Sequence, residues 1–79
     1  MGEVIALYPR LRDLREDAEL SQENLAKLLN MSQSGYSKYE TGENDIPTNI
    51  LIALARFHNT SVDYLLGLTN ERRPYPRVR

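Results

Sequence analysis

The chain has 79 residues, the length of one domain near the lower end of what folds on its own. It contains no cysteine and one histidine, which excludes a disulfide scaffold, a thiolate zinc site, a thiol nucleophile and a histidine-rich metal site. No apolar run approaches the roughly 20 residues that span a bilayer, and MGEVIALYPR lacks the pattern of a signal peptide. We therefore expect a single-domain cytoplasmic protein without a cofactor.

The charges are unevenly distributed, although the sequence as a whole carries a net charge of −1. Residues 1–70 carry six basic and ten acidic groups, whereas residues 71–79 carry four arginines and one glutamate. A net-acidic body weighs against nucleic-acid binding, because attraction to phosphates supplies much of that affinity. The distribution of charge on the folded surface matters more than the sum, so composition alone leaves nucleic-acid binding open.

The first two predicted helices are amphipathic. After a short N-terminal arm at residues 1–8, Pro9 suits the first turn of a helix, and apolar residues at helical spacing predict a helix over 9–18. Ser21 is a favourable N-cap for a second helix over 22–29. The apolar stripe of this second helix comprises Leu25, Ala26, Leu28 and Leu29.

A third helix follows after a very short turn. Asn30 tolerates the left-handed conformation that ends a helix, and Ser32 offers another N-cap only eleven residues after the previous one. The third helix is predicted to run to Tyr39, and Gly42 stops it.

Two further helices complete a predicted domain at residues 9–67. Pro47 opens a fourth helix that ends at Asn59, and Ser61 caps a short fifth helix. Residues 68–79, which contain two prolines and four arginines, are predicted to be a disordered end rather than an electrostatic arm for DNA. Because no segment alternates with a period of two residues, the predicted class is all-α with five short helices.

The most informative feature is the pair of short helices separated only by Asn30 and Met31. A turn this short forces the two helices to cross at a large angle, so the second one can protrude. Its exposed face offers hydrogen-bonding side chains of moderate size: Gln33, Ser34, Ser37 and Lys38. Such groups pair with base edges, and a helix fits the major groove. The pattern alone leaves an ordinary solvated helix face equally open.

Several groups of residues match, in type and spacing, the motifs of a known family. They are Ser21, Gln22, Leu25 and Ala26 at the start of the second helix, Ser37, Tyr39, Glu40 and Gly42 at the end of the third, Pro47, and the run from Ser61 to Gly67. On these residues, Leu11 to Gly67 resembles the Cro/phage-repressor (Xre-type) helix-turn-helix transcriptional regulators. Asn30 and Tyr36 stand where that family often has Gly and Ile or Val.

The resemblance implies a lambda-repressor-like DNA-binding domain, with the helix-turn-helix formed by helices 2 and 3. It implies a repressor that reads the major groove of a palindromic operator in double-stranded DNA as a homodimer. The residues that it assigns to reading bases are Gln33, Ser34 and Lys38. Those that it assigns to contacting phosphates are Gln22, Ser32 and Ser37, together with backbone N–H groups near Thr41 to Asn44. Tyr36 is expected mainly in the core, and a contact with a phosphate is the alternative for it.

Two structural roles accompany this assignment. The resemblance implies that Arg15 and Glu40 form an ion pair between the first helix and the end of the recognition helix. Phe57, Tyr64 and Leu65 are candidates for the dimer interface, although their apolar character equally suits the core of one subunit. Gly35, in the middle of the third helix, permits close approach either to DNA or to the preceding helix.

The sequence also bears on two other classes of function. A protein-interaction module of the same fold, such as an antitoxin or a partner-binding regulator, is the alternative to a DNA-binding regulator. An enzyme is disfavoured because the sequence shows no Ser/His/Asp set, no paired-carboxylate cleft and no phosphate loop. His58 is expected to be a packed histidine rather than a catalytic or metal-binding one. We therefore expect no catalytic residue, no metal site and no small-molecule substrate.

Overall fold

A computed structural model describes residues 7–76 of the chain, and this part folds into five α-helices. They are α1 (Pro9–Asp17), α2 (Gln22–Leu28), α3 (Gln33–Thr41), α4 (Thr48–Phe57) and α5 (Val62–Leu65). No strand occurs between residues 7 and 76, which confirms the predicted all-α class. Residues 1–6 of the predicted arm and residues 77–79 of the predicted tail lie outside the described residues.

Three helices begin at a serine whose hydroxyl caps the backbone. Ser21, Ser32 and Ser61 each accept the backbone N–H of the residue three positions later, at 3.0, 3.1 and 3.0 Å. Each bond satisfies one of the N–H groups that a helix leaves unpaired in its first turn. These caps fix the starts of α2, α3 and α5 where the sequence predicts them.

Left-handed residues end the helices and keep the connections short. Gly42 (φ 83°) follows α3, and Asn30 (φ 59°) lies between α2 and α3, both as the sequence predicts. Asn59 (φ 54°) follows α4 in the same way. Glu19 (φ 59°) adopts this conformation after α1, although its residue type gives no signal for it.

One side of every helix contributes to a single core. The buried apolar residues of the described chain are Leu11, Leu14, Leu25, Ala26, Tyr36, Tyr39, Leu54, Ala55 and Leu65. Leu28 was expected on the apolar stripe of α2, but it is 61% exposed. With each residue turning the helix by about 100°, Leu28 lies roughly 110° from the middle of the buried face of α2.

Leu65 is fully buried, and the prediction that it lies in a dimer interface is therefore wrong. A side chain without exposed surface cannot contact a second copy of the folded chain. The other two candidates of that group differ from it, since Tyr64 is half-buried and Phe57 is 44% exposed.

A buried ion pair joins the first three helices. The Arg15 guanidinium donates to both oxygens of Glu40, from Nε to Oε2 at 2.7 Å and from Nη2 to Oε1 at 3.1 Å. Gln22 Nε2 donates to the same Glu40 Oε1 at 2.9 Å, and Arg15 Nη1 donates to the Leu20 carbonyl at 2.8 Å. One carboxylate thus links α1, the start of α2 and the end of α3.

The surroundings of Glu40 stabilise its charged form. Burial alone acts to raise the pKa of this carboxyl, but the hydrogen bonds that it accepts, chiefly from Arg15, outweigh burial. The pKa of Glu40 therefore lies below its ordinary value. The same hydrogen bond raises the pKa of Arg15, so the pair stays ionised at neutral pH.

The segment that follows α5 contacts the helices up to Tyr75, where the sequence predicts a disordered end. Arg10 of α1 holds its beginning: the guanidinium donates to the carbonyl oxygens of Tyr64 and Thr69 and to Asn70 Oδ1, and it lies 4.0 Å from the centre of the Tyr64 ring. These contacts attach the start of the segment to both α1 and α5.

Two side chains hold the rest of this segment. The buried Thr60 hydroxyl donates to the Arg72 carbonyl, and the Tyr75 hydroxyl donates to Asp63 Oδ2 at 2.7 Å. The prediction of a disordered end is thus wrong for residues 68–75. The residues that hold this segment lie on α1 and around α5, at least 12 residues away in the chain. The sequence of the segment itself therefore shows no packing pattern.

We expect the Glu40→Gln substitution to lower the free energy of unfolding by about 2–3 kcal/mol. Removing one partner of a buried ion pair typically costs about 3–5 kcal/mol, and this pair stays below that range because the Arg15 side chain remains 11% exposed. Urea denaturation at neutral pH measures the change. Glu16→Gln is the control, because it loses only an exposed pair with Arg12 and is expected to change stability little.

The pH dependence of this contribution has a defined sign. Because the pKa of Glu40 is lower in the folded protein than its ordinary value of 4.5, the folded state binds fewer protons there than the unfolded state. The stabilisation is complete above that ordinary value and is lost as the pH falls through the folded-state pKa. Glu40→Gln should remove this part of the acid dependence, and an unchanged acid dependence in that variant would contradict the assignment.

We also expect Arg10→Ala to release the start of the C-terminal segment. The substitution removes three hydrogen bonds and the contact with the Tyr64 ring, which should lower stability by about 2 kcal/mol. Hydrogen exchange of the amides in residues 69–72 should become faster at the same time. Arg73→Ala is the matched control, since Arg73 is 86% exposed and its one ion pair within residues 7–76 is with nearby Glu71. Equal exchange rates in both variants would refute the role of Arg10.

Candidate functional site

Helices α2 and α3 form a helix-turn-helix unit with a tight connection. The Met31 N–H donates to the Ala26 carbonyl at 3.0 Å, and the Asn30 N–H donates to the Lys27 carbonyl at 3.0 Å. The Met31 side chain packs against the core, so the turn is held from the inside. This arrangement fixes the direction in which α3 leaves the turn.

Helix α3 has one buried and one open face. Tyr36, Tyr39 and Glu40 are buried, with the two tyrosine rings packed edge to face at a centroid distance of 6.2 Å. The residues predicted to read bases, Gln33, Ser34 and Lys38, are all exposed. No other part of the described chain covers them, so this edge of α3 is free to contact a ligand.

The order of side chains around α3 defines the open face. At about 100° per residue, Ser37, Thr41, Ser34 and Lys38 follow one another across it. Gln33 lies at one margin. Apart from Lys38 these side chains are neutral hydrogen-bonding groups, so the face suits recognition of polar edges more than general attraction to charge.

Gly35 accommodates the preceding turn. A Cβ atom at this position would lie 3.1 Å from Ser32 Oγ and 3.2 Å from Met31 Cε, and the Gly35 N–H donates to that same hydroxyl at 3.1 Å. Gly35 therefore lies against the preceding turn, and not against the preceding helix α2, which was one of the two explanations left open by the sequence.

Tyr36 is fully buried in the core, as expected, and the alternative that it contacts a phosphate is wrong. Burial raises the pKa of its phenol, and the neighbouring Glu40 carboxylate raises it further. The hydroxyl lies close to Glu40 but makes no well-aligned hydrogen bond within residues 7–76. Tyr36 fills the space behind α3, where the family often has a smaller apolar residue.

The remaining residues predicted to contact phosphates lie around the ends of α3. Ser32 is exposed at its start, Ser37 is partly exposed on its open face, and Thr41 and Asn44 lie at its end and in the following loop. Gln22, at the start of α2, is half-buried and already donates one N–H to Glu40. The sequence gave no sign of this internal bond, because its partners are 18 residues apart.

The loop after α3 uses its backbone groups internally. The Asn44 N–H donates to the Lys38 carbonyl at 3.2 Å, and the Gly42 N–H donates to the Tyr39 carbonyl at 3.3 Å. The expectation that backbone N–H groups near residues 41–44 are free for phosphates is thus wrong for these two. The Thr41 hydroxyl also has local partners, since it donates to the Lys38 carbonyl at 3.3 Å and accepts the Glu43 N–H at 3.4 Å, both in exposed hydrogen bonds.

The surroundings of the open face carry little positive charge. Lys38 lies on it, while the adjoining loop exposes Glu43 and Asp45.

The described part of the chain contains no group of three or more His, Cys, Asp or Glu residues that could hold a metal ion. Among the helices of residues 7–76, none has the length and apolarity needed to span a membrane.

His58 is half-buried at the end of α4. Its ring lies edge to face with Phe57 at a centroid distance of 5.0 Å. Burial lowers the pKa of the imidazole, and the positive charge of Arg72 lowers it further. His58 therefore lies at the end of α4, near Arg72 of the C-terminal segment, and is not part of the open face of α3.

Comparison with known proteins places this geometry in a family. Residues 11–65 match the family model described as helix-turn-helix. The uncharacterized HTH-type transcriptional regulator YobD of Bacillus subtilis is 42% identical over 69 residues, which cover 87% of this chain and 60% of YobD. The HTH-type transcriptional regulator ImmR of the same organism is 36% identical over 63 residues, covering 80% of this chain and 50% of ImmR.

A third relative, the uncharacterized HTH-type transcriptional regulator YqaE of Bacillus subtilis, is 33% identical over 63 residues, covering 78% of this chain and 54% of YqaE. The chain thus spans between half and three fifths of the length of these relatives. The matched region contains α2, the turn and α3 in full. The chain therefore belongs to the Cro/phage-repressor (Xre-type) helix-turn-helix family, as its motifs indicate.

Proposed function

We propose that the protein is a sequence-specific DNA-binding transcriptional regulator whose α3 enters the major groove. Gln33, Ser34 and Lys38 read base edges, because amide, hydroxyl and ammonium groups match the donors and acceptors displayed there. The observation that carries this proposal is the open polar face of α3 opposite a face fixed in the core. The names of the relatives, all HTH-type transcriptional regulators, support it.

Phosphate contacts orient the domain on the duplex in this proposal. Ser32 and Ser37 on α3, Thr41 and Asn44 after it, and Gln22 at the start of α2 hold the sugar–phosphate backbone on both sides of the groove. Gln22 donates its remaining side-chain N–H to the phosphate, since Glu40 accepts the other N–H. Contacts of this kind position the reading helix without carrying sequence information.

The protein acts as a homodimer on a palindromic operator and represses by occluding it. Two copies of α3 then read half-sites about one helical turn apart, roughly 34 Å. Phe57 and Tyr64 support such an interface, since both keep exposed surface near the junction of α4 and α5. A symmetric dimer also compensates for the low positive charge of each α3 face, because the electrostatic contributions of the two subunits add.

A module that binds another protein is the second candidate. The acidic side chains Glu43 and Asp45 beside the open face favour it, because they oppose attraction to phosphate. This function places Gln33 and Lys38 in a contact with a polypeptide or in solvent. The DNA-binding proposal is distinguished from it by the effect of these two side chains on duplex binding.

We expect Gln33→Ala and Lys38→Ala each to weaken operator binding by about 1–3 kcal/mol, roughly 5- to 150-fold, and to relax the preference at the base pair that the side chain reads. Selection from random duplexes supplies the operator, and fluorescence anisotropy measures affinity for it and for an unrelated duplex. Arg56→Ala, which removes an exposed cation at the end of α4, is the control and should retain wild-type preference. Unchanged operator preference in both α3 variants would favour the protein-binding module.

We expect Phe57→Glu to weaken the dimer. A carboxylate at a symmetric contact faces its own copy or a desolvated apolar surface, and both are unfavourable. In sedimentation equilibrium without DNA, the dissociation constant of the wild-type dimer should be lower than that of the variant by a factor of about ten or more. Leu28→Glu is the control, because Leu28 is 61% exposed on α2, away from the proposed interface. Identical oligomeric states for wild type and Phe57→Glu would overturn this interface.

A further inference from the structure

An open groove lies between α1, the start of α2 and the end of α3. Its lining residues are Pro9, Arg12, Asp13, Arg15, Glu16, Gln22, Glu40 and Thr41. Two of these, Gln22 and Thr41, are proposed phosphate contacts that lie on different helices. A phosphate that reaches both of them therefore lies at the mouth of this groove, beside α1.

Arg12 is the cation of α1 that remains accessible there. Arg15 is committed to internal partners, since it donates to Glu40 and to the Leu20 carbonyl and its side chain is 11% exposed. The Arg12 side chain is 68% exposed and pairs with Glu16, from Nε to Oε2 at 2.9 Å, one helical turn away. Exposed pairs at this spacing are weak, so Arg12 can exchange its partner at little expense.

The arrangement around α1 places Arg12 toward α3. At about 100° per residue, Arg12 lies between Arg15, which contacts Glu40, and Glu16. Asp13, the other exposed acidic residue of the lining, is about 100° further round on the side away from Arg15. Arg12 is therefore nearer than either exposed carboxylate to the helix edge that faces Glu40 and Thr41.

We propose that Arg12 is an additional DNA-phosphate contact, which exchanges Glu16 for the phosphate held by Gln22 and Thr41. The inference rests on the proposed DNA-binding function and extends the contact surface from α2 and α3 to α1. The planar guanidinium can donate two parallel hydrogen bonds to a phosphate. A cation in addition to Lys38 also offsets the shortage of positive charge around the open face.

The test is the salt dependence of binding to the operator and to an unrelated duplex. Each phosphate neutralised by a cation contributes about −0.9 to the slope of log affinity against log salt concentration. Between about 50 and 200 mM KCl, the wild type should therefore lose roughly 3.5-fold more affinity than Arg12→Ala. The variant should weaken binding to both duplexes by the same factor, because a phosphate contact carries no sequence information.

Two further variants separate this contact from a general effect of charge. Arg56→Ala removes an exposed cation on α4 and should keep the wild-type slope. Glu16→Gln should tighten binding, because it removes the carboxylate that competes for Arg12. This gain should vanish in the Arg12→Ala background, whereas simple repulsion between Glu16 and DNA would give the same gain in both backgrounds.

The outcomes for this inference and for the proposed function are distinct. A wild type that binds duplexes with a measurable salt slope, together with an Arg12→Ala variant of identical slope and affinity, overturns the inference alone. A wild type that binds no duplex overturns the proposed function and the inference together. Circular dichroism checks folding, which we expect to be unchanged since Arg12 lies on the surface.

Discussion

The paired hydrogen bonds between Arg15 and Glu40 determine how α3 is presented. Glu40 belongs to α3 and accepts from α1 and α2 as well, so one carboxylate sets the relation among three short helices. Helices of seven to nine residues have little stability of their own, because they form few internal hydrogen bonds after a costly nucleation. Burial of the pair also imposes strict geometry, since a displaced carboxylate would leave an uncompensated charge.

The position of the ion pair makes its structural role relevant to function. The ion pair holds the C-terminal end of α3 in place. The Ser32 cap and the contact of Gly35 with the turn hold its N-terminal end. Tyr36 fills the space behind the helix between these two points. The side chains on the other face thus project from a backbone held at both ends and from behind, which is the preorganisation that a reading helix requires.

Local signals in the sequence predicted most of the helix boundaries. Serine caps, the left-handed Asn30 and the terminating Gly42 act within a few residues, so their effects can be derived without knowledge of the tertiary fold. The open face of α3 also followed from residue type and spacing. Predictions of which side chains are buried and which are exposed were less successful. Leu28 is exposed, while Tyr36 and Leu65 are fully buried and unavailable for the contacts considered for them. Those outcomes are set by which elements pack against each position, and the partners of residues 69–75 lie far away in the chain.

The most direct test of the central claim is to follow the backbone amides of the protein by NMR during titration with its selected operator. The account predicts that the largest shift changes fall on Gln33–Lys38 and on the flanking residues Gln22 and Thr41. Changes centred on α4 and α5, with α3 unaffected at saturation, would contradict it.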